Sequence, residues 1–177
     1  MIGLVAGAVI LAGCSASFSF GGTGDDDYLD AGTELIEGQL ADQIGLGALD
    51  AECTGADLEA GDTFTCTAQA GDLSPIRFIG TIDADGDGVN ITSSNLLLAE
   101  QVEEVEAFSA SLIAEQTAVP IGPEHFECAD SSLVVENGDI LDCVLTDPTD
   151  GTMYEAPVTI EDLDSMSVVV NVGDPIG

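Results

Sequence analysis

The chain has 177 residues and carries 34 acidic side chains against a single basic one, Arg77, which gives a formal net charge of −33. Because it has no cationic surface to neutralise phosphates, nucleic acids and anionic membrane surfaces are excluded as partners. Hydrophobic residues nevertheless make up 45% of the chain and the mean hydropathy is +0.31, which argues against an acidic disordered protein.

The chain begins with an uncharged apolar run over residues 2–13. About 20 apolar residues are needed to span a bilayer as a helix, so this run has the length of the apolar region of a signal peptide instead. It ends in a Leu-Ala-Gly-Cys tetrapeptide that resembles a bacterial lipobox, which implies a diacylglycerol thioether on Cys14. We therefore predict a lipoprotein signal peptide over residues 1–13 and a membrane anchor on Cys14. The alternative is a buried N-terminal strand or helix with a packed cysteine.

A signal peptide is expected to open with Lys or Arg, whereas Met1 leads directly into the apolar run. The true start of the signal peptide is therefore expected to lie upstream, or the chain is truncated. Residues 14–30 are rich in Ser, Gly and Asp, and they are predicted to form a flexible tether.

Two helices are predicted from apolar residues at helical spacing. The first covers residues 31–46 and carries Leu35, Ile36, Leu40 and Ile44 on one face, with Gly45 and Gly47 as stop signals. The second covers residues 97–116 and carries Leu98, Val102, Val105, Phe108 and Leu112. Alternating apolar and polar runs after each helix predict strands over residues 63–70, 76–83, 89–93, 140–146, 153–161 and 167–172.

Four cysteines remain once Cys14 is assigned to the lipid, and they form two local pairs, Cys53 with Cys66 and Cys128 with Cys143. An even cysteine count outside the cytoplasm is typical of disulfides. Zinc is the rival interpretation, but neither pair has the short spacing of a zinc knuckle. Each disulfide is expected to stabilise its loop by roughly 3 kcal/mol on the chain-entropy model.

The sequence also repeats itself in three blocks that occur in the same order. The matching blocks are Leu40–Gln43 with Ile113–Gln116, Gly61–Cys66 with Gly138–Cys143, and Thr81–Asp83 with Thr159–Glu161. This pattern predicts an α+β fold of two tandem small domains, at residues 31–95 and 96–177. Each would have one N-terminal helix packed on a short antiparallel sheet, with one disulfide to support a thin core.

This arrangement resembles actinobacterial cell-surface lipoproteins built from a small two-cysteine domain of unknown function. In that family a helix precedes the first cysteine, and a G-x-x-F-x-C segment and a β-hairpin follow. Gly61, Phe64 and Cys66 match the segment, whereas Gly138 and Cys143 match it in the second copy with Leu in place of Phe. The resemblance covers residues 30–175 and the lipobox, and it implies a fold and an envelope location without an established activity.

The segment Asp83-Ala-Asp85-Gly-Asp87-Gly88 imitates the start of an EF-hand loop, in which carboxylates converge on Ca²⁺. Position 12 of that loop should be Glu, however, and here it is Ser94. Strand-like residues flank the segment, so an Asp- and Gly-rich hairpin turn is favoured. Weak Ca²⁺ binding by Asp83, Asp85 and Asp87 is the alternative.

The remaining candidates for chemistry are few, because the chain has one His, one Arg and no Trp. His125 lies close to Cys128, but a disulfide-bonded cysteine cannot act as a nucleophile. Arg77 is expected to form an intramolecular ion pair, and the glycosylation sequon at Asn90 is interpreted as accidental. A glycosidase needs two carboxylates at a set separation, and the sequence singles out no such pair.

These observations predict a non-catalytic envelope lipoprotein that acts as a binding or structural module at the cell surface, without a cofactor. The alternative is a Ca²⁺-responsive surface domain. The charge adds one physical expectation, which is that salt stabilises the fold by screening repulsion.

Overall fold

The computed structural model describes residues 7–8, 15–19 and 24–176. The chain divides into two compact units, each described here by itself. The N-terminal unit comprises Ala12–Leu98 together with Ser132–Val134. The C-terminal unit comprises Met1–Leu11, Ala99–Ser131 and Val135–Gly177. The first division falls after residue 98 and not after residue 95, and residues 132–134, which lie within the predicted second domain, also belong to the first unit.

The helices are α1 (Asp25–Leu35), a π-helical turn (Ile36–Leu40), α2 (Ala41–Ile44), α3 (Ala99–Thr117) and a 3₁₀ turn (Pro123–His125). The strands are β1 (Gly7–Ala8), β2 (Ser15–Ser19), β3 (Asp50–Thr54), β4 (Thr63–Gln69), β5 (Ile76–Ile82), β6 (Gly88–Ser93), β7 (Leu96–Leu97), β8 (Phe126–Glu127), β9 (Leu133–Val134), β10 (Ile140–Leu141), β11 (Val144–Thr146), β12 (Met153–Glu155), β13 (Val158–Asp162) and β14 (Ser167–Val170).

The N-terminal unit contains a five-stranded antiparallel sheet in the order β2-β6-β5-β4-β3 and a two-stranded ribbon of β7 and β9. Strands β4 and β5 alternate strictly between buried and exposed side chains, because one face of the sheet carries the core. The continuous helical segment from α1 to α2 packs on that face and buries Ile36, Leu40 and Ile44. The predicted strands 63–70, 76–83 and 89–93 are thus confirmed to within one residue at each end.

Helix α1 begins before its predicted start at residue 31, inside the stretch predicted to be a flexible tether. Negative side chains in a first turn interact favourably with the helix dipole, and α1 opens with three aspartates. The Asp27 carboxylate accepts the backbone N–H of Gly24 at 3.2 Å. The Asp25 carboxylate accepts the N–H groups of Asp57 and Leu58 at 2.8 and 2.9 Å. These bonds fix the start of the helix.

The rest of the predicted tether also contains structure. Residues Ser15–Ser19 form β2, which pairs with β6 along its whole length. The prediction of a flexible spacer over residues 14–30 is therefore not met in the part of it that the structure describes. At the other end, the helical segment ends at Ile44, two residues before the predicted end at Leu46, because Gly45 adopts a left-handed φ of 72° that glycine tolerates best.

The C-terminal unit combines α3 with two small antiparallel sheets, in the orders β1-β14-β13-β10 and β12-β11-β8. The predicted strands 140–146 and 153–161 are each broken in two. Residues 140–141 pair with β13, whereas residues 144–146 pair with β8 and β12, so the chain changes sheet at Cys143. Pro157 marks the second break, since proline lacks the N–H that a central strand donates.

The fold is therefore a mixture of helices and antiparallel sheets with two disulfides, as predicted at the level of class. Helix α3 covers nearly the predicted range of 97–116 and buries Val102, Val105 and Leu112, whereas Phe108 is only half-buried. The largest fully buried side chains among the described residues of this unit are Phe126, Ile160, Val102 and Val158.

Candidate functional site

Both predicted disulfides are present. Cys53 and Cys66 are directly opposite each other on β3 and β4, with 4.0 Å between their Cα atoms. Cys128, just after β8, is joined to Cys143, between β10 and β11, also with 4.0 Å between the Cα atoms. Oxidised sulfur is neither a nucleophile nor a zinc ligand, so these cysteines stabilise the fold. The predicted lipidation residue, Cys14, lies outside the described residues.

A glycine turn precedes the second cysteine of each pair and has the same hydrogen bonds in both units. Gly61, at φ 89°, donates its N–H to the Ile82 carbonyl at 3.2 Å. Ile82 in turn donates to the carbonyl of Asp62 at 2.9 Å. The Asp62 carboxylate accepts the N–H of Glu59 at 2.9 Å and its own N–H reaches the Glu59 carbonyl at 3.0 Å, which closes the turn.

In the C-terminal unit, Gly138 has φ 96° and donates to the Ile160 carbonyl at 2.6 Å. Ile160 donates to the carbonyl of Asp139 at 2.9 Å. The Asp139 carboxylate accepts the N–H of Glu136 at 2.8 Å, and the Asp139 N–H reaches the Glu136 carbonyl at 3.0 Å. Every donor and acceptor of the first turn therefore has a counterpart in the second.

The candidate Ca²⁺ loop forms the tight connection between β5 and β6. Asp83 accepts the N–H of Asp87 with its carboxylate at 3.1 Å and the N–H of Gly86 with its carbonyl at 3.1 Å. Tyr28 of α1 donates its hydroxyl to the Gly86 carbonyl at 3.0 Å. Among the described residues, no three acidic, His or Cys side chains form a group that could hold a metal ion, so Asp83, Asp85 and Asp87 do not converge.

The other residues singled out from sequence lie apart from one another. His125 ends the 3₁₀ turn, with its Nε2 atom 3.7 Å from the Glu124 carboxylate. Arg77 lies on the exposed side of β5. Asn90 is exposed on β6 and donates to the Ser17 hydroxyl at 2.9 Å. The structure does not bring these side chains together.

Sequence reasoning missed Asn95, which is almost fully buried in the N-terminal unit. Its side-chain oxygen accepts the backbone N–H of Arg77 at 2.7 Å, and its side-chain nitrogen donates to the Pro75 carbonyl at 3.0 Å. Ser94 adds a bond from its N–H to the Arg77 carbonyl at 2.9 Å. A polar residue between a strand and a helical pattern is the only sequence signal for this position.

The C-terminal unit also contains a mainly apolar pocket of about 220 Å³ that sequence reasoning did not predict. Its lining comes from the end of α3, from the segment that follows α3, and from β11, β12 and β14. The lining side chains are Leu112, Ile113, Gln116, Thr117, Val119, Ile121, Leu145, Asp147, Tyr154, Val170 and Val172. We call this cavity the α3 pocket.

A second, shallower groove in the same unit is acidic, with a volume of about 690 Å³. Its carboxylates are those of Glu100, Glu103, Glu104, Glu106, Glu124, Glu127 and Asp130. One of them has a structural role, since Glu106 accepts the backbone N–H of Cys128 at 2.7 Å.

One carboxylate in the lining of the α3 pocket has a shifted pKa. Asp147 accepts two hydrogen bonds on Oδ1, from the Thr149 hydroxyl at 2.6 Å and from the Thr149 backbone N–H at 2.7 Å. The hydroxyl bond, followed by the backbone bond, lowers the pKa of Asp147 below its ordinary value. This carboxylate therefore remains charged into more acidic solution than a free aspartate.

Comparison with known proteins finds no significant match: no family model, no curated protein and no solved structure is similar to the chain. Within the described part of the chain, none of the helices is both long enough and apolar enough to cross a membrane. The two disulfides indicate an extracytoplasmic or otherwise oxidising environment.

Proposed function

We propose that the protein is a non-catalytic lipoprotein of a bacterial envelope that acts as an extracytoplasmic binding module. The observation that carries this proposal is the pair of disulfides, one in each unit. Such bonds persist in oxidising compartments and replace the core that a small unit lacks. The tetrapeptide ending at Cys14 supplies the anchor in this proposal.

We further propose that the two units are diverged copies of one small domain, as in the actinobacterial lipoproteins that the sequence resembles. The matched hydrogen bonds of the Gly61 and Gly138 turns support a common origin. Both turns stand at the same distance along the chain from the cysteine that follows, Cys66 or Cys143. Independent origins would have to reproduce the same donors, acceptors and spacing twice.

Compensating side-chain sizes give a second argument for duplication. Phe64 of β4 lies directly opposite Gly80 of β5, and a Cβ atom at Gly80 would overlap the Phe64 ring. The equivalent cross-strand pair in the C-terminal unit is Leu141 with Val158. A smaller side chain replaces Phe where a larger one replaces Gly, so the two pairs contain the same number of side-chain carbon atoms.

Several observations favour binding over catalysis. The cysteine nearest in sequence to His125 is Cys128, and it is oxidised. The imidazole of His125 is 3.7 Å from a neighbouring glutamate rather than from a nucleophile. The α3 pocket, by contrast, is concave, mainly apolar and rimmed by a few polar groups, which is the usual character of a ligand site.

The decisive experiment is an intact mass, without reductant, of the protein extracted from the membrane of its native host. We expect a chain that begins at Cys14, heavier by a thioether-linked diacylglycerol and lighter by the hydrogens of two disulfides. The matched control is Cys14→Ser, expressed in the same host, which should lack the lipid and keep both disulfides. An unlipidated wild-type chain with free thiols would overturn the proposal.

A further inference from the structure

The α3 pocket is larger than an ordinary packing defect. This partly open cavity has a volume of about 220 Å³, several times that of one water molecule. An engineered apolar cavity of about 150 Å³ holds one benzene molecule, so the α3 pocket has room for roughly nine non-hydrogen atoms. Its floor is well packed, since Leu112, Ile113, Leu145 and Val170 are all buried.

Half-buried side chains surround this floor and leave the pocket accessible from solvent. Val119, Ile121 and Val172 are aliphatic, and Tyr154 adds one half-buried aromatic ring. The pocket therefore favours a ligand with a flexible apolar body of moderate length. Such a body gains about 0.8 kcal/mol for each methylene that leaves water, by the usual transfer scale.

Charge decides what the polar end of the ligand must be. Asp147 carries the only carboxylate among the lining residues, and its Oδ1 atom is held by both Thr149 bonds. In the described part of the chain its Oδ2 atom accepts no hydrogen bond, which leaves it available to a donor. The single Arg of the sequence is in the N-terminal unit, and the C-terminal unit has neither Lys nor Arg to attract an anion.

We propose that the α3 pocket binds a small amphipathic cation, with an aliphatic body in the cavity and an ammonium group on the Asp147 carboxylate. This inference names the ligand class for the proposed binding function and rests on that function. A fatty acid would fit the cavity equally well by volume, but its carboxylate would meet Asp147 and a chain with net charge −33. A neutral alcohol would gain the apolar contacts without the charge pair.

The test compares the binding of three probes that have eight carbon atoms each: octylamine, octanol and octanoate. The protein is the full chain carrying Cys14→Ser, at about pH 7 and near-physiological ionic strength. Titration is followed by the methyl NMR signals of Leu145 and Val170. We expect saturable one-to-one binding of octylamine, roughly millimolar or tighter. Octanol should bind about 1.5- to five-fold more weakly, the range for one exposed charge pair, and octanoate more weakly still.

Variants separate the pocket from general attraction of cations to an acidic protein. Asp147→Asn should bring octylamine down to the affinity of octanol. Asp150→Asn is the matched control, because Asp150 lies in the same turn and accepts the Thr152 N–H at 2.9 Å but does not line the pocket. Val119→Phe should fill the cavity and abolish binding of octylamine and octanol alike.

Three results would overturn the inference: octanol or octanoate binding as tightly as octylamine, equal losses in Asp147→Asn and Asp150→Asn, or no saturable shift of the two methyl signals. Each of these is independent of the mass of the native chain. A lipidated, disulfide-bonded protein that fails this titration keeps the proposed envelope location and loses only the proposed ligand.

Discussion

At the scale of single residues, acidic side chains in this protein accept specific backbone N–H groups as well as supplying charge. Asp25, Asp62, Asp83, Asp139 and Asp147 each accept such a bond. Apart from Asp25, which reaches residues 57 and 58, these aspartates accept N–H groups two to four residues away, within reach of a short side chain. Many of the acids that give the sequence its composition therefore also define its turns.

The turn around Asp147 gives a prediction on pH. Thr149→Val removes the hydroxyl bond that contributes most to the low pKa of Asp147, so that pKa should rise toward its ordinary value of about 3.9. A lowered carboxyl pKa adds stability that is present above the unfolded value and is lost as pH falls through the folded value. The variant should therefore lose part of this contribution at neutral pH. NMR titration of the Asp147 carboxyl carbon measures the change.

Thr149→Ser is the control for this experiment, because it keeps the hydroxyl and should keep the low pKa. The explanation fails if Thr149→Val titrates like the wild-type protein. It also fails if the serine variant shifts as far as the valine variant.

Asn95 gives the second residue-scale prediction. Asn95→Ala removes both side-chain bonds and leaves the Arg77 N–H and the Pro75 carbonyl without those partners. Leaving buried polar groups unsatisfied costs about 1–3 kcal/mol, and urea unfolding should show a loss in this range. Asn90→Ala is the matched control, since Asn90 is exposed and its loss should cost less than about 0.5 kcal/mol. Equal losses in the two variants would contradict the role given to Asn95.

At the scale of elements, the fit of Phe64 against glycine links β4, β5 and α1. A Cβ atom at Gly32 of α1 would lie 2.8 Å from the Phe64 ring, and one at Gly80 would lie even closer. The ring thus occupies space that two glycines leave open. This explains why β5 tolerates a glycine in its interior, where glycine normally weakens a strand.

The prediction is a double-mutant cycle on this contact. Gly80→Val alone should destabilise the protein by about 1–3 kcal/mol through overpacking. Adding Phe64→Leu, which recreates the Leu141–Val158 pair of the C-terminal unit, should recover much of that loss. Urea unfolding of the four proteins gives the coupling energy, expected at about 0.5–3 kcal/mol.

Gly38→Ala is the control for the cycle, because a Cβ atom there meets nothing within 4 Å. Its helical position predicts a gain of about 0.5–1 kcal/mol. Strictly additive effects of Gly80→Val and Phe64→Leu would show that the two positions do not share one packing space.

The success of sequence reasoning at this scale depended on the strength of each local pattern. Strands β4 to β6 follow from alternation, and the disulfides follow from cysteine count and proximity. Strand β3 was missed because Asp50–Thr54 carries no large apolar side chain. The start of α1 lies in a Ser-, Gly- and Asp-rich stretch of the kind that predicts a linker, although its three aspartates favour the first turn of a helix.

The α3 pocket could not be predicted, for a different reason. Its lining combines α3 with residues such as Leu145, Tyr154 and Val172, which are far apart in sequence. Only the tertiary pairing of β11, β12 and β14 with the end of α3 brings them together. A cavity is space left between side chains, and no local pattern records it.

At the scale of the whole molecule, the net charge of −33 predicts a strong response to salt. Repulsion among carboxylates opposes the compact state, and the Debye length falls from about 30 Å at 0.01 M salt to about 3 Å at 1 M. We expect the melting temperature to rise by at least roughly 3 °C over this range, which corresponds to about 1 kcal/mol for a chain of this size. Calorimetry in sodium chloride measures the shift.

Divalent salts provide the control for this prediction. At equal ionic strength, calcium chloride and magnesium chloride should raise the melting temperature by the same amount. The reason is that the carboxylates of Asp83, Asp85 and Asp87 do not converge on one cation site. A melting temperature that does not change with sodium chloride concentration would contradict the role given to repulsion among the carboxylates. A further rise of the melting temperature with calcium, lost in Asp85→Ala, would instead support the alternative of a Ca²⁺-responsive domain.

The ribbon of β7 and β9 determines when the N-terminal unit can complete its folding. Leu96 and Leu97 pair with residues that follow the whole of α3 in the chain, and the nearby Ser132 hydroxyl donates to the Ile44 carbonyl at 2.6 Å. A chain that leaves a ribosome or an export channel from its N-terminus delivers the five-stranded sheet long before these partners. Joining them then requires closure of a long loop, which costs entropy. The N-terminal unit emerges first, but it therefore cannot complete its folding until residues 132–134 have been delivered.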